Sequence, residues 1–145
     1  MKTEVIFSSK KNDWSTPIEF FKKIESRFGE FDLDPCANKH NAKAKLYYTK
    51  ADNGLSKEWK GKVWMNPPYG RGIIIHWMKK AYESYLNGAT VVCLVPSRTD
   101  TKWWHDYAMK GKIEFIKGRL KFGNAKNNAA FPSSLIIYDN RKPLI

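Results

Sequence analysis

Residues 89–95, Ala-Thr-Val-Val-Cys-Leu-Val, constrain the fold of this sequence more than any other segment. A short, continuous apolar run that is rich in β-branched residues predicts a strand covered on both faces. The run is far too short to cross a bilayer, so we expect it to lie inside a protein core. It therefore indicates a sheet with helices on both sides.

The rest of the sequence supplies elements for such a fold. Apolar residues at helical spacing predict helices over 16–28 and 73–86 and a short aromatic helix over 101–109, and Thr16, Pro17 and Glu19 read as a capping box. Further strands are predicted at 31–34, 46–49, 62–66, 112–116 and 134–138. We predict an α/β fold: one three-layer Rossmann-like domain over 1–145, with a mostly parallel sheet, an antiparallel edge pair at the C-terminus and a candidate flexible arm at 1–13.

Three of the predicted strands end in polar or proline-rich segments. These segments are Asp34-Pro35, Asn66-Pro67-Pro68-Tyr69 and Pro96-Ser97-Arg98. Open α/β sheets bind their ligands beyond the carboxyl ends of the strands. The three segments therefore mark a candidate site.

The segment from Asn66 to Tyr69 has a specific chemical capacity. The side-chain oxygen of Asn66 and the carbonyl oxygen of Pro67 are two acceptors that suit an amino group on a planar ring. Hydrogen bonds to both amino protons would direct the nitrogen lone pair at an electrophile, and Tyr69 offers a ring face for stacking. This interpretation requires an open cleft beside Asn66 and an accessible Tyr69. The alternative is a Pro-Pro turn with a packing tyrosine.

Charge and composition narrow the class of partner. Lys and Arg number 26 against 14 Asp and Glu, a net charge of +12, which favours a nucleic acid over the alternative of a basic surface without a ligand. Cys36 and Cys93 lack zinc-site spacing and the three histidines are dispersed, so we expect no metal. The N-terminus lacks the apolar stretch of a signal peptide, which favours a cytoplasmic protein without membrane segments.

The sequence resembles the family of phage-type DNA N-6-adenine methyltransferases. The resemblance rests on six segments in order: 13–17, 31–38, 52–55, 59–70, 94–104 and 131–138. It implies S-adenosyl-L-methionine as cofactor, double-stranded DNA as partner and an adenine flipped out of the duplex. It also implies a monomer in the cytoplasm (the host cytoplasm for a phage protein) with a role in DNA marking of the restriction-modification type.

The resemblance also implies roles for individual residues. The catalytic residues would be Asn66, Pro67, Pro68 and Tyr69. The cofactor-binding residues would be Trp14, Thr16, Pro17, Asp34, Pro35, Cys36, Ala37, Asp52 and Asn66. In one respect the chain departs from related enzymes, because the turn at 36–38 contains no glycine.

Basic residues near the expected mouth of the site are candidate phosphate contacts. They are Arg71, Arg98, Lys102, Arg119, Lys121 and Lys126. Two alternatives remain open from the sequence. In the first, the chain is a methyltransferase whose acceptor is adenine in RNA or a glutamine of a protein. In the second, the chain is a non-catalytic basic module derived from such an enzyme, and the glycine-free turn at 36–38 favours this alternative.

Overall fold

The computed structural model of the chain describes residues 15–123 and 131–141. The predicted arm at 1–13, the cofactor contact Trp14 and the phosphate contact Lys126 lie outside the described residues. The helix and strand predictions all fall within these ranges.

The described residues form one sheet of six strands in the order β2-β1-β3-β4-β6-β5. The strands are β1 (Leu33–Asp34), β2 (Leu46–Tyr47), β3 (Lys62–Met65), β4 (Thr90–Pro96), β5 (Lys112–Phe115) and β6 (Ser133–Tyr138). The first four pair in parallel, whereas β6 pairs antiparallel with both β4 and β5. The predicted α/β sheet with a C-terminal antiparallel pair is confirmed.

Helices cover both faces of this sheet. They are α1 (Ile18–Phe28), α2 (Ile74–Leu86) and α3 (Lys102–Asp106), with single 3-10 turns at Gly54–Ser56 and Ala108–Lys110. Within the described ranges, no helix has the length and apolar character needed to span a membrane.

Sheet register shows that α1 and α2 lie on opposite faces. Phe21 of α1 packs against Trp64 with ring centroids 5.1 Å apart, and Tyr138 packs against two tyrosines of α2. Trp64 pairs with Val92, while Tyr138 pairs with Val91. Because neighbouring residues of a strand point to opposite faces, the two helices sandwich the sheet. All of β4 is buried, as its apolar run predicts.

The start of α1 differs from the predicted capping box. The helix is capped at Pro17 without a side-chain hydrogen bond, and Thr16 lies one residue further out. From there the Thr16 hydroxyl accepts a hydrogen bond from the side chain of Asn66 at 3.2 Å. The predicted cap is wrong because Thr16 is engaged by the end of β3. The predicted stop at Gly29, where φ is 81°, is confirmed.

The turns that follow β1 and β2 pack against each other. The amide of Tyr48 donates to the Asp34 carbonyl, and the amide of Ala37 donates to the Tyr48 carbonyl, both at 3.0 Å. A Cβ atom on Gly54 would lie 2.1 Å from the carbonyl oxygen of Pro35. The close approach of these two backbones brings the 49–54 turn beside the end of β1.

We predict that Gly54→Ala lowers the free energy of unfolding by about 1–3 kcal/mol, because backbone cannot move aside as a flexible side chain can. Lys57→Ala, an exposed position after the same turn, serves as the control and should change it by less than about 0.5 kcal/mol. Urea denaturation of the three proteins measures the difference. Equal midpoints for the Gly54 variant and the parent chain would contradict the close packing of the turns.

Candidate active site

Asn66, the first residue after β3, joins three of the predicted motif segments. Its side-chain nitrogen donates to Thr16 at the start of α1, and its backbone N–H hydrogen-bonds the Cys36 thiol in the turn after β1. Its side-chain oxygen accepts from the Tyr69 hydroxyl at 2.7 Å. Segments far apart in sequence therefore meet at one amide.

Asp34 organises the turn after β1. Its carboxylate accepts hydrogen bonds from the backbone amides of Lys43 at 3.0 Å and Cys36 at 3.4 Å, and its side chain is buried. Burial raises the pKa of Asp34 to about 6, although both amides act in the opposite direction. The carboxylate thus shapes the loop from 35 to 43, and its predicted contact with a cofactor amino group stays a prediction.

The two cysteines are not activated nucleophiles. Burial raises the pKa of the Cys36 thiol well above its ordinary value, and the nearby Asp34 carboxylate adds to this effect. Burial also raises the pKa of Cys93. Because the thiolate is the reactive form, neither side chain suits covalent catalysis. Cys36 and Ala37 instead supply small side chains at the turn where a glycine is absent.

Tyr69 is buried in this structure, so the expectation of an accessible ring is wrong here. The residue is only 5% exposed. Its ring meets Phe122 and Phe131 edge-on, with centroids 6.2 Å and 5.7 Å away, and its hydroxyl also lies 3.1 Å from the Leu94 carbonyl. Burial raises the pKa of Tyr69 well above its ordinary value, which keeps the hydroxyl protonated and able to donate.

Phe122 and Phe131 are site residues that the sequence analysis missed. They lie in the region 119–132, for which the sequence predicts neither a helix nor a strand. The amide of Gly123 donates to the Ser15 carbonyl at 2.8 Å, which ties this segment to the start of α1. The side chain of Phe122 is buried. The available signal was the presence of two aromatic residues in a region without a predicted helix or strand.

Arg98 points at the motif. Its Nη1 atom donates to the backbone carbonyl of Tyr69 at 2.9 Å. The other described phosphate candidates are exposed and follow strand ends: Arg71, Lys102, Arg119 and Lys121. Because β5 and β4 both run antiparallel to β6, the residues after β5 leave the sheet at the same edge as the motif. Arg71, Arg98, Arg119 and Lys121 thus follow strands that end at the edge of Asn66, whereas Lys102 lies in α3 and forms an ion pair with Asp106.

Asp52 presents a carboxylate beside the turn after β1. The amide and hydroxyl of Thr49 donate to it at 2.8 Å and 3.0 Å, and these hydrogen bonds hold the pKa of Asp52 below its ordinary value. An exposed anion, the Thr16 hydroxyl and the small side chains at 36–37 suit a cofactor that carries cationic groups and hydroxyls. These residues are chemically compatible with S-adenosylmethionine, the cofactor that the resemblance implies.

The described residues contain no candidate metal site, and a cavity in the structure lies away from the Asn66 motif. Among residues 15–123 and 131–141, no cluster of His, Cys, Asp and Glu side chains could hold a metal ion. A cavity of about 560 Å³ lies at the opposite end of the sheet, where Trp59, Lys80 and Asn87 are among its lining residues. This cavity does not include the Asn66 motif.

The raised pKa of Asp34 predicts a pH-dependent stability. Its folded-state pKa of about 6 exceeds the ordinary value of about 3.9, so its stabilising contribution is full below about pH 4 and is lost as the pH rises through about 6. Relative to Asp34→Asn, the unfolding free energy of the parent chain should fall by about 2–3 kcal/mol between pH 4 and pH 7. Urea denaturation across this range measures the difference.

The comparison with Asp34→Asn cancels the other carboxyl groups, such as Glu114 and Asp139, whose lowered pKa values act in the opposite direction in both proteins. A constant difference between the two chains at every pH would show that Asp34 titrates normally.

Comparison with known proteins shows which family the chain resembles over most of its length. The chain matches the family model described as DNA N-6-adenine-methyltransferase (Dam) over residues 4–140. It is 32% identical over 150 residues to a protein named DNA N-6-adenine-methyltransferase from Haemophilus phage HP1 (strain HP1c1), which covers 94% of this chain and 85% of that relative. A protein of the same name from Escherichia phage T1 is 31% identical over 147 residues, covering 81% of this chain and 60% of that relative. The family match includes every described segment of the candidate site.

Proposed function

Because the chain belongs to the DNA N-6-adenine-methyltransferase (Dam) family, we propose that it transfers a methyl group from S-adenosylmethionine to the N6 amine of adenine in double-stranded DNA. The observation that carries this proposal is the meeting of three motif segments at Asn66. The family match covers most of the chain, and the site contains the acceptors that the reaction needs.

The cofactor would lie beyond the ends of β1 and β3. The turn at 34–37, Thr16 with Pro17 at the start of α1, and the exposed carboxylate of Asp52 are the residues that would hold it. S-adenosylmethionine supplies an electrophilic methyl carbon when bound. The hydroxyl of Thr16 is already oriented by the Asn66 amide, so the cofactor side and the acceptor side of the site are mechanically joined.

The acceptor side consists of two oxygens. β3 ends at Met65, so the Pro67 carbonyl lies outside the sheet, close in sequence to the side-chain oxygen of Asn66. When both accept hydrogen bonds from one amine, its lone pair turns toward the methyl carbon. These bonds strengthen as positive charge develops on nitrogen, so they stabilise the transition state more than the ground state. The two prolines limit the motion of this segment.

We propose that the buried position of Tyr69 is a closed form of the acceptor side. The Tyr69 hydroxyl lies at the Asn66 oxygen where the adenine amine would bind, and Phe122 and Phe131 cover the ring. We propose that a flipped base replaces the hydroxyl at Asn66 and that the ring of Tyr69 then stacks on the base. Unstacking a base costs a few kcal/mol, and stacking on Tyr69 with phosphate contacts offsets this cost.

DNA would contact the basic edge of the sheet. Arg71, Arg119 and Lys121 are exposed there and follow β3 or β5. Phosphate contacts from this edge would hold the duplex across the mouth of the site without reading its sequence. The segments 70–73, 96–102 and 119–132 would then determine which adenines are methylated.

Offering labelled S-adenosylmethionine with different acceptors tests the proposed function. The probes are a DNA duplex, an RNA of the same sequence and a glutamine-containing peptide. We expect the label in DNA. Label in the RNA alone or in the peptide alone would show that this molecule, and not DNA, is the acceptor. If no acceptor is labelled and the cofactor causes no thermal shift, the chain is a non-catalytic module.

We predict that Asn66→Ala lowers kcat by at least about 100-fold, because one of the two acceptors for the amine is lost. Cofactor affinity, measured by calorimetry, should change little. Asn87→Ala, an exposed residue after α2 at the other end of the sheet, is the matched control and should retain full activity. Retained turnover in the Asn66 variant would exclude the proposed mechanism.

Two substitutions of Tyr69 separate its ring from its hydroxyl. Tyr69→Phe removes the group that lies 2.7 Å from the Asn66 oxygen, so we expect undiminished kcat/KM and a loss of about 1 kcal/mol in stability. Tyr69→Ala removes the stacking face and should lower kcat/KM by about 10-fold or more. Steady-state kinetics and thermal unfolding measure both effects. If the Phe variant is as impaired as the Ala variant, the hydroxyl itself takes part in the reaction.

A further inference from the structure

Arg98 connects the loop after β4 to the end of the Asn66–Tyr69 motif. β3 and β4 are neighbouring parallel strands, so the segments that follow them leave the sheet side by side. The hydrogen bond from Arg98 Nη1 to the Tyr69 carbonyl, at 2.9 Å, crosses between these two segments. It is a charge-assisted bond to backbone at the motif's last residue.

The backbone of Arg98 is itself firmly held. Its amide donates to the Pro96 carbonyl at 2.9 Å. Its carbonyl accepts from the amide of Thr101 at 3.2 Å and from the Thr101 hydroxyl at 2.7 Å. Thr101 also caps α3 by accepting from the amide of Trp104. The arginine therefore extends from a fixed turn rather than from a loose loop.

Resting on the function proposed above, we infer that Arg98 is a positioning residue that fixes the motif backbone against β4. The Pro67 carbonyl oxygen and the Asn66 side-chain oxygen must lie close enough for both to accept hydrogen bonds from one amine. The prolines restrict the torsion angles of the segment, but they do not fix its position relative to the sheet. Arg98 supplies that fixed point at the far end of the motif, and its charge also opposes the effect of burial on the pKa of Tyr69.

A phosphate contact is the competing role for this side chain. Arg98 is half-buried, whereas Arg71, on the other side of Tyr69, is exposed. A residue that binds phosphate contributes to the salt dependence of DNA affinity, with a slope of about one unit per contact. A residue that positions the motif alters turnover at saturating DNA and leaves this slope unchanged. The two roles therefore produce different measurements.

The experiment compares Arg98→Gln and Arg98→Lys with the parent chain, and Arg71→Gln serves as the reference for a phosphate contact. For Arg98→Gln we expect kcat at saturating DNA and cofactor to fall by 10-fold or more. The salt slope of DNA binding should stay constant, whereas Arg71→Gln should lower it by about one unit. Arg98→Lys keeps the charge without the planar fork, so its kcat should remain below that of the parent.

Hydrogen exchange provides a readout that does not depend on activity. Arg98→Gln should accelerate amide exchange in a peptide spanning 66–74 and leave a peptide spanning 112–116 unchanged, with thermal unfolding as the check on folding. If Arg98→Gln accelerates exchange although the parent chain transfers no methyl group, the positioning role is retained and the proposed reaction is rejected. Unchanged exchange, or a kcat that recovers fully at saturating DNA together with a reduced salt slope, would overturn the inference.

Discussion

The site depends on the hydrogen bonds that the side-chain amide of Asn66 makes. Its nitrogen donates to the start of α1, and its oxygen accepts from within the motif. An amide has both donors and an acceptor, so a single residue can link a helix, a strand end and a loop. Aspartate could not donate to Thr16, and leucine could do neither. The oxygen that we propose accepts from the adenine amine is thereby oriented by the contact with Thr16.

Hydrogen bonding and burial of apolar surface also explain the buried position of Tyr69. A buried polar atom without a partner is costly, and an exposed aromatic ring forgoes burial of apolar surface. The Tyr69 hydroxyl donates a hydrogen bond to the Asn66 side-chain oxygen, and Phe122 and Phe131 cover the Tyr69 ring. A flipped adenine offers the same two things, an N–H donor and a ring face. The contacts in this structure thus resemble those of the proposed complex, in which the Asn66 oxygen would exchange the hydroxyl for the adenine amine.

The fold was predictable from the sequence because its signals are local. The apolar run of β4, the helical spacing of α1 and the prolines after β3 each indicate their element without distant information. The environment of the site was less predictable because it depends on contacts between distant segments. The sequence does not show that Thr16 contacts Asn66 instead of capping α1, that Phe122 covers Tyr69, or that Arg98 points inward. Each of these depends on a partner that only the folded chain brings near.

The position of the methyl group on the modified nucleoside tests the central claim most directly. Duplex DNA incubated with the protein and isotopically labelled S-adenosylmethionine is digested to nucleosides and analysed by mass spectrometry against standards. Two oxygens that accept from one amine act on an exocyclic amino group, and the family match indicates adenine, so the account predicts label in N6-methyldeoxyadenosine. Label on the amino group of cytosine, or on a ring nitrogen or ring carbon of any base, would contradict it.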